Sequence, residues 1–369
     1  MIALPPFVHT VDDLSRALPG ITAQVGAIPV IVSDVVLAES GLVRAAEHAL
    51  GSDVVRVPAG EPSSATVAVL AHDLVGRGSD VVVAVGGGSV LDTVKLAARL
   101  VGDPAGLEGR LLGASPFPPG LGVVALPTTA GSGAEVTRTA IVTHAGRKTW
   151  AWDERLRPDA AVLAPQLTLG LPLSITVSSG LDAFVHAVEA ATGLRSSPPH
   201  TALGFEAAAL VHAQLPEVVE RRDSWEARLA MLEAAAAAGV AIDHCGTGVG
   251  HAVGHALASV VPIPHGLAVM LGLRAGLEWT LERAAEAYAG LAQALGCSSV
   301  AALPAAFDRL LDRVGFRHEL ARWERPTAAA LADELASIAH QPMCRNNARP
   351  IGPGDRVQIA ELVMEYWTR

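Results

Sequence analysis

Two textures of hydrophobic and polar positions divide this chain. Up to about residue 165, short continuous apolar runs alternate with stretches of helical spacing. Pro29-Val30-Ile31-Val32, Val81-Val82-Val83-Ala84-Val85, Val123-Val124-Ala125-Leu126 and Ala160-Ala161-Val162-Leu163 are uninterrupted by polar residues and mostly Val-rich. A strand with one wet face alternates apolar and polar positions. An unbroken run instead predicts a strand buried on both faces of a parallel sheet. Residues 63–77 and 89–100 lie between such runs and carry helical periodicity, so this half predicts βαβ units. Beyond about residue 172 the β-branched runs thin out. Ala/Leu/Glu segments over 179–191, 199–219, 225–240, 249–259, 267–295, 300–314 and 326–338 predict helices. The expected organisation is an α/β domain over 1–168 and an all-α domain over 169–369. The short link between them favours packed halves with a cleft.

Composition narrows the function classes. The 369 residues are 50% hydrophobic and 17% charged, which suits a sizeable core and excludes a disordered chain. A net charge of −10 argues against nucleic acid and membrane surfaces as partners. No run of about 18 residues is free of charges and Gly/Pro breaks, so no spanning helix is predicted. Cys245, Cys297 and Cys344 are widely spaced and predict neither a disulfide framework nor a thiolate zinc site. The N-terminal segment lacks a basic stretch followed by an apolar core, so a cytoplasmic protein is expected. Lys95 and Lys148 are the only lysines among 27 basic residues.

The first candidate chemistry follows the 81–85 run, which passes directly into Gly86-Gly87-Gly88-Ser89 and a helix carrying Asp92. Glycines let backbone N–H groups close on phosphate oxygens, and a helix N-terminus favours the negative charge. The spacing is not G-x-G-x-x-G, so a plain βα turn is the competing reading. A second loop, Pro127-Thr128-Thr129-Ala130-Gly131-Ser132-Gly133-Ala134-Glu135, also leaves a buried run and offers hydroxyls at the same sheet edge. Two such loops on one sheet read as a dinucleotide site. Asp34 ends the first run. A carboxylate there accepts from a ribose 2′-hydroxyl and repels a 2′-phosphate, which favours NAD(H) over NADP(H); a helix cap is its alternative role. Lys148 is a further candidate, for the cofactor's ribose or phosphate.

The helical half holds the stronger signal. Asp182 and His186 stand at i and i+4, His251 and His255 repeat that spacing, and His265 follows in Pro264-His265-Gly266. Three imidazoles and a carboxylate make a four-ligand set that suits Fe²⁺ or Zn²⁺. A lone histidine usually belongs to a polar core network, but the combination points to a metal. His212 and His244 fit no such pattern and read as structural. Glu189 and Glu206 read as solvated or helix-pairing.

These segments, in this order, resemble the iron-dependent (group III) alcohol dehydrogenases over nearly the whole chain. The resemblance rests on the turn at 86–89 with Asp92, the loop at 127–135 and Ser-Gly-Leu-Asp-Ala-Phe-Val-His-Ala-Val-Glu at 179–189. His-x-x-x-His at 251–255, Pro-His-Gly at 264–266 and Asn346-Asn347-Ala348-Arg349-Pro350 complete it. It implies a Rossmann-like N-terminal domain and a helical C-terminal domain, the architecture shared with dehydroquinate synthases. It also implies Asp182, His186, His251 and His265 as metal ligands, with His255 near the nicotinamide as a proton carrier. Gly86, Gly87, Gly88, Ser89, Asp92, Thr128, Thr129, Ser132 and Lys148 would face NAD(H), with Asp34 at the adenine ribose. Ala134 and Ala164-Pro165 depart from the family's usual Ser and Asp-Pro. Maleylacetate reductases commonly carry Asn where this chain has Asp182, so the resemblance favours a metal-dependent enzyme.

The implied reaction is hydride transfer between a nicotinamide and a small aldehyde or alcohol, in a protein expected to be a homodimer. Maleylacetate-type reduction is the first alternative. A sugar-phosphate cyclase is the second, opposed by the scarcity of lysine. The substrate pocket is expected to be lined by a loop Trp150-Ala151-Trp152-Asp153, by Phe184 and by Cys344, Arg345, Asn346 and Arg349. A guanidinium from Arg345 or Arg349 would suit an acidic aldehyde, as in the short branch that includes phosphonoacetaldehyde reductases.

Overall fold

The computed structural model describes residues 7–41, 43–103 and 106–369. Two compact units emerge: Met1–Thr129 with Gly133–Gly170, and Leu171–Arg369 with Ala130–Ser132.

The first unit runs β1 (Phe7–Thr10), α1 (Leu14–Thr22), β2 (Pro29–Asp34), α2 (Val35–Ser40), α3 (Arg44–Leu50), β3 (Val54–Val57), α4 (Ser64–Arg77), β4 (Val81–Gly86), α5 (Gly88–Arg99), β5 (Gly122–Pro127), β6 (Thr139–His144), β7 (Arg147–Trp152) and β8 (Ala160–Leu163). Among the described residues six strands form one sheet in the order β1-β8-β5-β4-β2-β3, with every pair parallel. The continuous Val runs become β2, β4, β5 and β8. Their alternate residues feed two cores: Val30, Val32, Val82, Ala84, Val123 and Ala125 pack on one face, and Ile31, Val81, Val83, Val85, Val124 and Leu126 on the other. Two-sided burial is why these strands lack polar alternation.

β6 and β7 form a separate antiparallel hairpin that the sequence reading missed. Trp150 and Trp152, expected in a loop, lie on β7 with Ala151 buried between them and both indoles partly exposed. The alternation is period two, a strand signal too short to stand out. Lys95 ties this hairpin to α5. Its fully buried ammonium donates to Asp92 Oδ1 (3.1 Å), the Ala134 carbonyl (3.2 Å), Thr137 Oγ1 (3.3 Å) and the Thr139 carbonyl.

Glu135 is buried beside that cation, and desolvation pushes its carboxyl up to about 7, only partly offset by its own backbone N–H and Lys95. An acid whose folded pKa is raised holds more protons folded than unfolded, so stability falls as pH rises between about 4.5 and 7. Glu135→Gln is expected to flatten that fall, worth at most about 3 kcal/mol. Urea midpoints at pH 4.5 and 7 check it, and parallel wild-type and variant slopes would contradict it.

The second unit is helical: α6 (Leu173–Thr192), α7 (Pro198–Glu220), α8 (Trp225–Cys245), α9 (Val249–Val260), α10 (His265–Ala275), α11 (Leu277–Ala284), α12 (Ala289–Ala294), α13 (Leu303–Arg313), α14 (Phe316–Leu320), α15 (Ala328–Leu335), α16 (Gln341–Asn346) and α17 (Arg356–Thr368). The single helix expected over 267–295 is corrected: the chain breaks at Gly276, packed against Val249, and again at Ala284. Among the described residues no single helix is long and apolar enough to cross a membrane.

Candidate metal and cofactor sites

α6 carries Asp182, His186 and Glu189 at i, i+4 and i+7, on one helix face. α9 brings His251 and His255, and His265 opens α10 directly after Pro264. Asp182 Oδ1 lies 3.8 Å from His186 Nε2, 3.7 Å from His251 Nε2 and 3.6 Å from His265 Nε2. Around a tetrahedral ion with bonds of about 2.0–2.2 Å, donors stand about 3.4 Å apart, so this carboxylate oxygen is spaced as a ligand from all three imidazoles. The tightest group is Asp182, His186 and His251, all buried, with donor atoms within 4.8 Å of one another. His265, with 35% of its side chain exposed, reaches the same oxygen from outside that trio. His186 Nε2 and His251 Nε2 face each other at 3.0 Å. Two ring nitrogens that close need a proton or a cation between them, and a divalent cation would take both lone pairs together with the Asp182 carboxylate. The donor set therefore fits a borderline divalent ion. His255 is half-buried, with its ring 5.4 Å from that of His265 and 5.8 Å from that of His251.

The expectation that Glu189 is solvated is overturned. Only 3% of it is exposed, and it accepts from the amides of Gly248 (2.8 Å) and Gly250 (2.5 Å) and from His251 Nδ1 (2.7 Å). Burial pushes its carboxyl up to about 7 against those hydrogen bonds. Its spacing of three from His186 was the available signal. Gly250 leaves room for it: a Cβ there would stand 2.8 Å from the Val269 carbonyl and 2.9 Å from Glu189 Oε1. Gly250→Ala is expected to destabilise the helical unit by about 1–3 kcal/mol in thermal unfolding, and an unchanged midpoint would contradict this placement.

In the α/β unit, Gly87 caps α5 with no side chain, so the first-turn N–H groups open at the C-terminal edge of the sheet. The Thr128 amide donates to the Gly86 carbonyl at 3.0 Å, and a Cβ on Gly87 would stand 3.3 Å from Thr129 Oγ1. The structure thus brings Gly86, Gly87, Gly88, Thr128 and Thr129 together, with Ser89 exposed beside them. Asp34 caps α2, its Oδ1 accepting from the amides of Val36 and Leu37 at 2.9 Å each. Asp92 turns inward: one oxygen takes Lys95 and the other the Ile141 amide at 2.9 Å. Burial raises its pKa. Lys148 pairs with Glu61 at 2.6 Å. Ser132 belongs to the helical unit, where neighbouring Gly131 lies against Ser179 of α6.

The family described as iron-containing alcohol dehydrogenase matches residues 5–165, and that described as Fe-containing alcohol dehydrogenase family, C-terminal, matches 176–363. This chain belongs to the iron-containing alcohol dehydrogenase family. It is 36% identical over 240 residues to the probable alcohol dehydrogenase EutG of Escherichia coli, covering 64% of this chain and 61% of that protein. The chain thus matches about three-fifths of that relative's length. It is 30% identical to the sulfoacetaldehyde reductase of Bilophila wadsworthia over 96% of both chains. A phosphonoacetaldehyde reductase of Streptomyces viridochromogenes is 38% identical over 210 residues, 54% of this chain and 53% of that one. The crystal structure of the sulfoacetaldehyde reductase of Bifidobacterium kashiwanohense in complex with NAD⁺ has a TM-score of 0.88 and 26% identity, covering 99% of this chain and 98% of that one.

In this iron-containing alcohol dehydrogenase family member, several residues expected at the pocket serve the fold instead. Phe184 is fully buried, edge-on to Phe307 at 5.1 Å. Arg349 stacks on Trp279, its guanidinium 3.7 Å from the ring centroid, and pairs with Glu282 at 2.9 Å. Cys344 is buried in the core. Asn346 donates to the carbonyls of Cys245 (3.0 Å) and Thr247 (2.9 Å) and accepts from the Arg195 amide (3.0 Å). Arg345 is exposed at the end of α16.

Proposed function

We propose that this chain is a metal-dependent, NAD(H)-linked reductase of short aldehydes, with the reverse alcohol oxidation open to it. The observation that carries the reading is the convergence of one Asp182 oxygen with three imidazole Nε2 atoms, in a chain matched by the family in both halves. Asp182, His186, His251 and His265 would hold Fe²⁺ or Zn²⁺. When bound, such an ion supplies Lewis acidity to a carbonyl oxygen, and the nicotinamide supplies the hydride. Asp182 brings the one negative charge that offsets the cation among neutral imidazoles. The open amides of α5 and the hydroxyls of Thr128 and Thr129 would bind the pyrophosphate region. Asp34 stands at the end of β2, where a ribose 2′-hydroxyl is accepted and a 2′-phosphate repelled. His255 carries the proton exchanged with the alcohol oxygen on its ring nitrogen.

Both lysines are committed, Lys95 inside the α/β unit and Lys148 to Glu61, which weighs against a sugar-phosphate cyclase. With Arg349 held by Trp279 and Glu282, an acidic aldehyde would rest on Arg345 and on the likeness to sulfo- and phosphonoacetaldehyde reductases. The test is a panel of short neutral aldehydes, sulfoacetaldehyde and phosphonoacetaldehyde, with NADH or NADPH and with Fe²⁺ or Zn²⁺ added. Metal-dependent oxidation of NADH in preference to NADPH is expected. Turnover of none of them would overturn the reading.

A further inference from the structure

The N-terminus of α9 has no cap from its own neighbouring side chain. Its amides are taken from elsewhere in the helical unit. Glu189 Oε2 accepts from Gly248 at 2.8 Å, while Oε1 accepts from Gly250 at 2.5 Å and His251 at 3.4 Å. Asn347 Oδ1 accepts from Val249 at 3.2 Å. One contact goes beyond capping: Glu189 Oε2 also meets the imidazole Nδ1 of His251 at 2.7 Å.

We propose that Glu189 is a positioning residue that fixes the tautomer of His251 and so sets the affinity of the metal site. The inference rests on the metal-site reading above. Backbone amides only donate, and those of Gly248, Gly250 and His251, aimed at its two oxygens, favour Glu189 as the acceptor-only carboxylate. Against that carboxylate, at 2.7 Å, His251 Nδ1 carries the proton, which leaves the lone pair on Nε2. That Nε2 is the atom 3.7 Å from Asp182 Oδ1 and 3.0 Å from His186 Nε2. The opposite tautomer would put a proton where the ion sits. A carboxylate on the far nitrogen also makes the imidazole a stronger donor to the ion. The same carboxylate holds the first turn of α9, so the ring's position and its protonation pattern are set together.

Substituting Gln leaves one acceptor oxygen for donors that now use two. The orientation that serves the Gly250 amide turns the amide NH₂ on His251 Nδ1 and favours the wrong tautomer. Asn347→Ala removes a cap from α9 without touching His251, and separates helix stability from tautomer control.

The experiment titrates the full-length metal-free protein with Zn²⁺ against a chelator. Wild type, Glu189→Gln, Asn347→Ala and His251→Ala are compared, with unfolding midpoints recorded for each. We expect Glu189→Gln to bind Zn²⁺ about 10–100-fold more weakly. Asn347→Ala should lower the unfolding midpoint and keep wild-type Zn²⁺ affinity. In parallel, ¹⁵N NMR of histidine-labelled, metal-free wild type should show His251 protonated at Nδ1, its signals identified by their loss in His251→Ala. A folded Glu189→Gln with wild-type affinity would overturn the inference and leave the metal site standing. So would an Nε2-protonated His251 in the wild type, which decides the matter even if Glu189→Gln does not fold. Wild type that fails to bind Zn²⁺, or His251→Ala that binds as wild type does, would bring down the metal-site reading itself.

Discussion

Asp182→Asn is expected to lower metal-dependent aldehyde reduction by about a thousand-fold in kcat, with the fold intact. The reason lies in the position of one atom. Asp182 Oδ1 is 3.6–3.8 Å from the Nε2 atoms of His186, His251 and His265, so it is spaced as a ligand from all three imidazoles. Asparagine keeps the shape, removes the negative charge and puts an NH₂ group in competition for the ligand position. Lewis-acid activation is worth several kcal/mol, and about 4 kcal/mol corresponds to about a thousand-fold in rate. The check is kcat for the best aldehyde with metal in excess, alongside circular dichroism of the variant. A folded Asp182→Asn enzyme with the wild-type rate would contradict the ligand assignment.

Lys95→Met should be the most damaging single change in the α/β unit. The ammonium is fully buried and makes four contacts, to Asp92 Oδ1, Thr137 Oγ1 and two main-chain carbonyls. Removing it leaves the buried Asp92 carboxylate without its cation and takes a donor from both carbonyls. Loss of one partner of a buried pair costs about 3–5 kcal/mol. The effect should appear as a lower urea midpoint for the α/β unit. Adding Asp92→Asn to Lys95→Met should recover part of the loss, because the stranded charge is gone. The double-variant cycle measures that coupling, and additive losses would contradict it.

The sheet was legible where burial is two-sided. Val81–Gly86 has no polar position because both of its faces meet core, and continuous Val runs have few other uses. β1 and β3 were not legible: four residues each, at the two edges of the sheet, they have partly exposed side chains and no such run. The hairpin hid for a related reason, since two exposed tryptophans read as pocket lining rather than as one face of a strand. On the helical side, i,i+4 spacing marked Asp182–His186 and His251–His255, because neighbours on one helix face share an environment. Glu189 stands on the same face at the next turn. It escaped because its partners, the amides of Gly248 and Gly250, lie about sixty residues away and leave no mark in local periodicity. Arg349 shows the converse. A guanidinium near a family-like motif suggests substrate, yet the flat ring of Trp279 and the carboxylate of Glu282 take it up.

The most direct test measures metal content and NADH oxidation on one anaerobically purified sample of the full chain. The account predicts about one Fe²⁺ or Zn²⁺ per chain by mass spectrometry. Oxidation of NADH by a short aldehyde should be lost on chelation and restored by the ion, and both metal and turnover should be lost in His265→Ala. A metal-free chain that reduces aldehydes at full rate, or undiminished metal in His265→Ala, would contradict it.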